Sequence, residues 1–514
     1  MPRNRTRPPK AHGGDPADRR RRAAGWIVLA GAAAVAVASA HDYAGGWNDG
    51  SRLATVESLV DHHTLAIDRS IFSGIDLQGR HPTYEDLKDS PYHPEYPLMG
   101  LFGTLDKIHV DGRFYSHKSP VPALLLAGWY AIWQALTGMT AKSNPNAFCY
   151  WMTLGSSGLS YVVAVLSVFQ LGRVLDVPLR IRLGLTAGFG LATVALPYTR
   201  FVNDHILLLA VAALLALNLA RLARAWIGQP APPARLPWAR VAWAGCLAGL
   251  AYTIDLGTGP VLLLCTAAVI GYRLRRAAGL ALAVFSLGAL PWLALHHAVN
   301  WQIGGTFTPA ASVPEYFTWP GSPFTAENMT GVWNHDSIGC FLWYAASLLV
   351  GIDNSEGLFY RGFFGHNLPV LLALPGVAVA LRRRPAELPE VLWAAAWCLG
   401  TWLLYSLLSN NYSGTCCSIR WFVPLVAAAY YIVAVLVRES PQYRLDLAVL
   451  TGVGLLVGAC MWSVGPWTPE EVPWIWHLQA IGLGGWLLCI LPRLRRRPIE
   501  QSAAAPEAKP KRQR

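Results

Sequence analysis

Charge is what this sequence has least of: only 14% of its 514 residues are charged, against about 25% in a soluble domain. That shortage excludes a chain that covers its whole surface for water. Acid is scarcer than base, with 30 Asp+Glu against 42 Lys+Arg and a formal net charge of +12. The excess base is not a nucleic-acid surface. It comes in short clusters between apolar runs and in both tails, as topology signals and anionic-lipid contacts do. Metal-type cysteine spacing is missing: the nine cysteines include no CxxC. Cys246, Cys265, Cys398, Cys460 and Cys489 sit inside apolar runs as small packing residues. No internal repeat is visible, so the inverted repeats of many transporters find no counterpart.

What is abundant is apolar sequence, at 53% of residues, arranged in runs of about 15–22 residues that suit helices crossing ~30 Å of hydrocarbon. Many of the 22 Trp lie near run ends (Trp47, Trp129, Trp319, Trp333, Trp474, Trp476), where interfacial belts form. The first run, Ala23–Ala40, follows Arg19–Arg22 and ends in Ala38-Ser39-Ala40, a signal-peptide pattern that we read as a retained anchor. Further spans are expected at 148–171, 183–198, 205–225, 240–255, 259–272, 278–297, 367–381, 390–408, 421–437, 446–464 and 475–492. The fold class expected is therefore all-α, a polytopic membrane bundle of about twelve transmembrane helices.

The run 120–137 is apolar enough to pass for another span. As a span it would put Arg173, Arg180, Arg182 and the later basic loops outside. As an outer interfacial or re-entrant helix it leaves 31 of the 42 Lys+Arg in the cytoplasm, and the positive-inside rule favours that threading. Both termini are then cytoplasmic, in a bacterial-type plasma membrane, and two long segments, 41–147 and 298–366, lie outside. Ile338–Gly351 is expected to form a second interfacial helix. The organisation expected is a basic tail (1–23), a transmembrane catalytic module with its outer loops (24–440), C-terminal helices (441–497) and a disordered tail (498–514).

The first outer segment holds 12 of the 30 acids: Asp42, Asp49, Glu57, Asp61, Asp68, Asp76, Glu85, Asp86, Asp89, Glu95, Asp106 and Asp111. Most are expected to be solvated. Asp49 differs, because it follows the first membrane exit and precedes a helical pattern with Leu53, Val56, Leu59 and Val60 on one face. A carboxylate there can serve as general base on a hydroxyl while the other reactant stays in lipid. Asp204 sits in a short outer turn, either as a functional acid or as a cap for the span at His205. Outer cations are few. Lys118 precedes the 120–137 helix, whose N-terminus suits an anion; Lys107 lies nearby; Arg420 precedes the span 421–437 and offers a fork of donors for phosphate. Snorkelling is the alternative for Lys118 and Arg420. The adjacent pairs His62-His63 and His296-His297 diverge by ~100° on a helix, so neither need meet on one metal.

These residues resemble the GT-C glycosyltransferases, in the branch of protein O-mannosyltransferases and lipid A aminoarabinose transferases. The resemblance is carried by Asn48-Asp49-Gly50-Ser51-Arg52-Leu53-Ala54 through Thr64-Leu65-Ala66-Ile67-Asp68, and by Gly112-Arg113-Phe114-Tyr115-Ser116-His117-Lys118-Ser119-Pro120. Gly357-Leu358-Phe359-Tyr360, Asn367-Leu368-Pro369 and Ile419-Arg420-Trp421 extend it. It implies inverting transfer of a sugar from a polyprenyl-phosphate donor to a glycan, lipid or protein acceptor at the outer face. It also implies Asp49 as base, Asp204 as a second acid that orients the acceptor or helps hold a divalent cation, and Lys118, Arg420 and Lys107 on the donor phosphate, with Glu57, Arg52 and His205 in support. No cofactor follows beyond that cation. Two departures stand out: Asp49 is followed by Gly50 where many members have Asp-Glu, and Lys118-Ser119-Pro120 replaces Lys-Pro-Pro. The competing classes are a transporter or flippase, which needs ionisable groups in mid-span, and a non-catalytic envelope scaffold.

Overall fold

The computed structural model describes residues 16–74, 83, 90–95, 97–225, 237–325, 330–351, 361–414, 416–467 and 471–503. The motif Gly357–Tyr360, the acids Asp76, Glu85, Asp86 and Asp89, and most of both tails lie outside them. The described chain is helical apart from one two-stranded hairpin and its loops. In order, the elements are α1 (Pro16–Ser39), α2 (Trp47–Asp61), β1 (Lys107–Val110), β2 (Arg113–Ser116), α3 (Pro120–Thr137), α4 (Pro145–Val174), α5 (Leu179–Leu191), α6 (Asp204–Arg224) and α7 (Trp238–Ile254). Then come α8 (Thr258–Arg273), α9 (Ala278–Gly304), α10 (Ile338–Val350), α11 (Ala373–Arg383), α12 (Leu388–Leu407), α13 (Leu425–Glu439), α14 (Arg444–Val464) and α15 (Ile475–Ala503).

Every expected span coincides with a helix, but the helices are unequal. Seven of them, α1, α4, α6, α9, α12, α14 and α15, are long and apolar enough to cross a membrane, and the protein is a multi-pass membrane protein. The helices α5, α11 and α13 are shorter than the spans read from the sequence, whereas α7 and α8 match theirs but run to only 17 and 16 residues. The run 183–198 stops being helical at Leu191, and 367–381 begins as a 3-10 turn, Leu368–Leu372. Twelve is thus not a count of full-length helices. The first helix also begins at Pro16, inside the segment assigned to the tail.

Burial sorts the helices. In α6 and α13 nearly every residue is buried, as befits helices that are apolar on all sides. At the rim, α1, α9 and α15 leave Trp26, Ile27, Leu287, Leu290, Leu487 and Leu488 exposed, a surface for lipid. The run 120–137 is not among the seven. As α3 it packs Ala123, Leu126, Ala127, Tyr130 and Trp133 against Leu53, Ala54 and Val56 of α2. Asp61 locks the pair by accepting from Tyr130 Oη at 2.7 Å and from Gln134 Nε2 at 2.8 Å.

The two ends of the bundle differ. One carries α2, α3, α10 and the hairpin. The other is pinned by ion pairs, Arg438 to Glu387 at 2.7 Å and Arg273 to Glu390 through two contacts of 2.7 and 2.5 Å. Glu390 is only 1% exposed, so losing its partner strands a buried charge. Arg273→Met should destabilise the protein by about 3 kcal/mol, read as a lower midpoint of thermal inactivation in detergent. The double change Arg273→Met/Glu390→Leu should recover most of that loss.

Candidate active site

The site is built on α2. Its first turn starts at Gly46, in extended backbone, and Asp49 lies in that turn, 1% exposed. Asp49 Oδ2 accepts from the Gly45 N–H at 2.7 Å, while Oδ1 is buried without a hydrogen-bond partner. Burial pushes this carboxyl up to about 7; backbone N–H groups and Arg52 pull the other way and lose. The absence of a second carboxylate after Asp49 has a steric cause. A Cβ at Gly50 would lie 2.4 Å from Tyr92 Oη. Tyr92 is itself fixed by donating to the Phe72 carbonyl at 2.8 Å.

One turn further on, Arg52 reaches across to Asp204. Its Nε lies 2.7 Å from Asp204 Oδ2, both side chains being buried. The contact is an ion pair whose N–H direction misses hydrogen-bond geometry, since that nitrogen also counts among the buried donors without a partner. Arg52 Nη1 donates to the Asn48 carbonyl at 2.6 Å and to Asn48 Oδ1. Asp204 is the first residue of α6, and Asn203, not Asp204, is the cap: its Oδ1 accepts from His205 N at 2.8 Å and Ile206 N at 3.4 Å. The loop before it is anchored by a π-helical turn in α4, Leu154–Gly158. There Ser157 Oγ donates to the Phe201 carbonyl at 2.7 Å and accepts from Asn203 N at 2.9 Å. Such turns often mark functional sites.

The hairpin supplies the third part. Asp111 and Gly112 both have positive φ, 48° and 79°, the signature of a two-residue turn of type I′. The register pairs Lys107 with Ser116, so the next residues out, Asp106 and His117, are neighbours. Asp106 Oδ2 is 2.8 Å from Lys118 Nζ and accepts from Asn48 Nδ2 at 3.3 Å. Lys118 Nζ also lies 2.6 Å from His117 Nε2. Ser51 Oγ, 2.5 Å from the Asp106 carbonyl and 2.6 Å from Ser116 Oγ, ties the hairpin to α2. Burial raises Asp106, but Lys118, His117 and Arg420 outweigh it and hold the carboxyl well below the usual range. Burial drives Lys118 down to about 8 against the pull of Asp106, and His117 down to about 3 with Lys118 adding to the effect.

Arg420 completes the cluster from the far side of the chain. It acts on both Asp106 and Lys118, and it has no carboxylate partner among the described residues. Its guanidinium stands 6.0 Å from the Trp467 ring centre. A Cβ placed on Gly46 would be 3.6 Å from Asp49 Oδ1 and 3.7 Å from that same indole. Asp49 Oδ1, Arg420 Nε and Trp467 Nε1 are all buried without hydrogen-bond partners. Two unsatisfied polar atoms thus flank an indole whose own N–H is also unsatisfied, hydrogen-bonding capacity that a polar ligand would fill.

Of the residues singled out in the sequence, Asp49, Arg52, Asp204, Lys118 and Arg420 fall in one electrostatic cluster. His205 borders it, its Nδ1 3.8 Å from Asp255 Oδ2. Asp255 is committed elsewhere, accepting from Gly257 N and Thr258 N, each at 2.8 Å, and from Tyr405 Oη at 2.9 Å. Two candidates lie apart. Lys107 Nζ sits over the Phe114 and Trp319 rings, at 4.5 and 5.3 Å, and faces Asp68 rather than the Asp106–Lys118 pair. Glu57 accepts from Ser70 Oγ at 2.5 Å and Ile71 N at 3.1 Å. Eight residues along a helix put it about 12 Å from Asp49, so it does not replace the missing second acid. Asp106, Asn48, His117, Tyr92 and Trp467 were not singled out. The Asp111-Gly112 turn between alternating apolar residues was the signal for the hairpin, and with it for the Asp106–Lys118 pair.

No group of three or more His, Cys, Asp or Glu side chains placed to hold a metal occurs among the described residues. Asp204 and Asp106 are already neutralised by Arg52 and Lys118, so these donors do not fit a divalent cation, and no step is assigned to one.

No family model matches this sequence, and no curated protein matches it. Solved structures do. ArnT from Cupriavidus metallidurans bound to undecaprenyl phosphate is 15% identical, with a TM-score of 0.47 over 94% of this chain and 79% of that one. The Archaeoglobus fulgidus oligosaccharyltransferase AglB, in complex with an inhibitory peptide and a dolichol-phosphate, is 14% identical, with a TM-score of 0.41 over 91% of this chain and 55% of that one. A structure of the A. fulgidus enzyme with Zn and sulfate gives a TM-score of 0.42 at 14% identity, over 86% of this chain and 54% of that one. At these values the likeness is one of overall architecture.

The raised Asp49 carboxyl sets a pH dependence. Its folded value, about 7, lies above the ordinary 3.8, so the stability it lends is complete below 3.8 and is lost as pH rises through about 7. Asp49→Asn should flatten the fall in thermal midpoint across that window. Glu57 is also pushed up to about 7 by burial, so Glu57→Gln should remove a separate share. Midpoints measured in detergent across the window for both variants, singly and combined, check this.

Proposed function

We propose that the protein is a membrane glycosyltransferase that moves a sugar from a polyprenyl-phosphate donor to an envelope acceptor, with inversion. The reaction is placed on the outer side of the plasma membrane, with both termini in the cytoplasm. One observation carries this reading: a buried, unpartnered carboxylate oxygen, Asp49 Oδ1, stands in a cluster with the cations Arg52, Lys118 and Arg420. A base and an anion-binding group in one buried cluster are what displacement of a phosphate from a sugar requires.

The division of labour follows from the contacts. The acceptor hydroxyl gives its proton to Asp49 Oδ1, which must start ionised. The acceptor oxygen then bonds to the anomeric carbon as the bond to the phosphate oxygen breaks, and the phosphate leaves with the electron pair. Charge grows on that phosphate, so cations already fixed in place stabilise the transition state more than the ground state. Lys118 and Arg420 hold the phosphate. Asp106, Asn48 and His117 position Lys118, and Asp204 positions Arg52. Transport is not favoured, because the buried charged groups of the described spans (Arg182, Asp204, Glu390 and Asp446) all lie in first turns rather than in mid-span.

The test is turnover of a radiolabelled polyprenyl-phosphate sugar by the purified protein in vesicles, read as release of polyprenyl phosphate. Asp49→Asn should lower kcat about 10²–10⁴-fold with little change in donor KM. Lys118→Met should raise donor KM as well. In the wild type, kcat/KM should rise with pH through about 7, where Asp49 ionises. Undiminished turnover by folded Asp49→Asn overturns the assignment.

A further inference from the structure

At the opposite end of the bundle from the site, α1, α4 and α5 line a half-open cavity of about 360 Å³. Arg21, Arg22, Arg173 and Arg182 line it, with Gln170 and Trp26, and no carboxylate does among the described side chains. We propose that it binds the phosphate of an anionic phospholipid.

Arg182 carries the inference. It is 4% exposed, yet its Nε has no hydrogen-bond partner. Its guanidinium lies 4.5 Å from the Phe169 ring centre, and both Arg173 and Arg21 repel it. The space for its stem exists because α4 has a glycine there: a Cβ on Gly172 would be 2.8 Å from Arg182 Cγ. A buried guanidinium facing like charges is costly unless an anion joins it. The positive-inside rule accounts for arginines at this end, but not for one buried without a partner among others. Phosphate matches the guanidinium fork.

The walls argue for lipid over free phosphate. Trp26, Leu29 and Leu166 line the same cavity. Leu29 lies about 10 Å further along α1 than Arg22, so an apolar wall continues from the arginines toward the middle of the helix. A headgroup phosphate at the arginines would let its acyl chains follow α1, whose outer face already exposes Trp26 and Ile27.

The full-length protein is reconstituted in phosphatidylcholine nanodiscs with and without phosphatidylglycerol. Lipid retention is read by native mass spectrometry and stability by thermal midpoint. Phosphatidylglycerol should be retained and should raise the midpoint. Arg22→Gln/Arg173→Gln changes two exposed residues and should weaken retention about 30-fold, at ~1 kcal/mol for each arginine. Arg182→Gln should weaken it about 5-fold on the same scale, and the double variant keeps the test valid if Arg182→Gln fails to fold. Stabilisation by inorganic phosphate in pure phosphatidylcholine supports the anion site and assigns it to soluble phosphate. Retention of phosphatidylglycerol that is equal in wild type and Arg22→Gln/Arg173→Gln overturns the proposal. So does the absence of any effect of either phosphate source.

Discussion

The Arg52–Asp204 ion pair joins the two halves of the site. Arg52 belongs to α2, a helix of the first long loop, and Asp204 opens α6, one of the most deeply buried helices of the bundle. Neither charge is cheap to bury, and each makes the other tolerable. Asp204 gains further from the N-terminus of α6, where the helix dipole favours a carboxylate. Because Arg52 also donates twice to Asn48, the pair fixes the first turn of α2 against the bundle. That turn carries Asp49, and Asn48 in turn touches Asp106. Position passes from the spans to the loop helix, and from there to the hairpin with Lys118.

Desolvation works differently on the three acids of this cluster. Asp204 and Asp106 each have a cation within 2.8 Å. Asp49 has backbone N–H groups and, among the described residues, no cation in direct contact. The same burial therefore leaves Asp106 ionised well into acid and lifts Asp49 to about 7. Tyr92 enforces the difference by filling the space where a second acid after Asp49 would stand. A chain with Asp-Glu at this point would need another residue in place of Tyr92.

The helices were legible because their signals are local. Apolar runs, Asn203 before Asp204, and Pro120 at the start of α3 all act within a few residues. The placing of 120–137 outside the spans came from the Lys/Arg count, and in the structure that segment packs on α2. Lengths were less legible. The run 183–198 is apolar throughout, yet helix ends at Leu191, and the rest turns inward to let Tyr198 donate to the Cys417 carbonyl at 3.1 Å. Long-range pairings were hidden altogether. Nothing near Asp106 in sequence marks it as the partner of Lys118 until the hairpin register is known, and Trp467 lies hundreds of residues from Asp49. Lys107 shows the converse. It follows Asp106 directly in sequence, but strand alternation turns the two side chains to opposite faces, and Lys107 lies on Phe114 and Trp319.

The charge inventory bears on why so much cation is assembled around one base. Near neutral pH Asp49 is partly protonated, and Arg52 and Lys118 are matched by Asp204 and Asp106. Arg420 is left over, without a carboxylate partner among the described residues and with the Trp467 ring centre 6.0 Å away. With Asp49 protonated the empty site therefore holds one uncompensated positive charge, which the single negative charge of a phosphodiester donor cancels. With Asp49 ionised, as the proposed transfer requires, the loaded site carries one net negative charge. Transfer then removes a proton from the acceptor and leaves a phosphate monoester that carries more charge than the donor did. The proton goes to Asp49, so the base becomes neutral as the leaving group becomes more anionic, and the net charge inside the cluster does not change. A dry site penalises any change in its net charge. A base held near neutrality and set among fixed cations lets the reaction run without one. A base at the ordinary carboxylate value would accept that proton less readily, and one paired to a cation, as Asp106 is, would scarcely accept it at all.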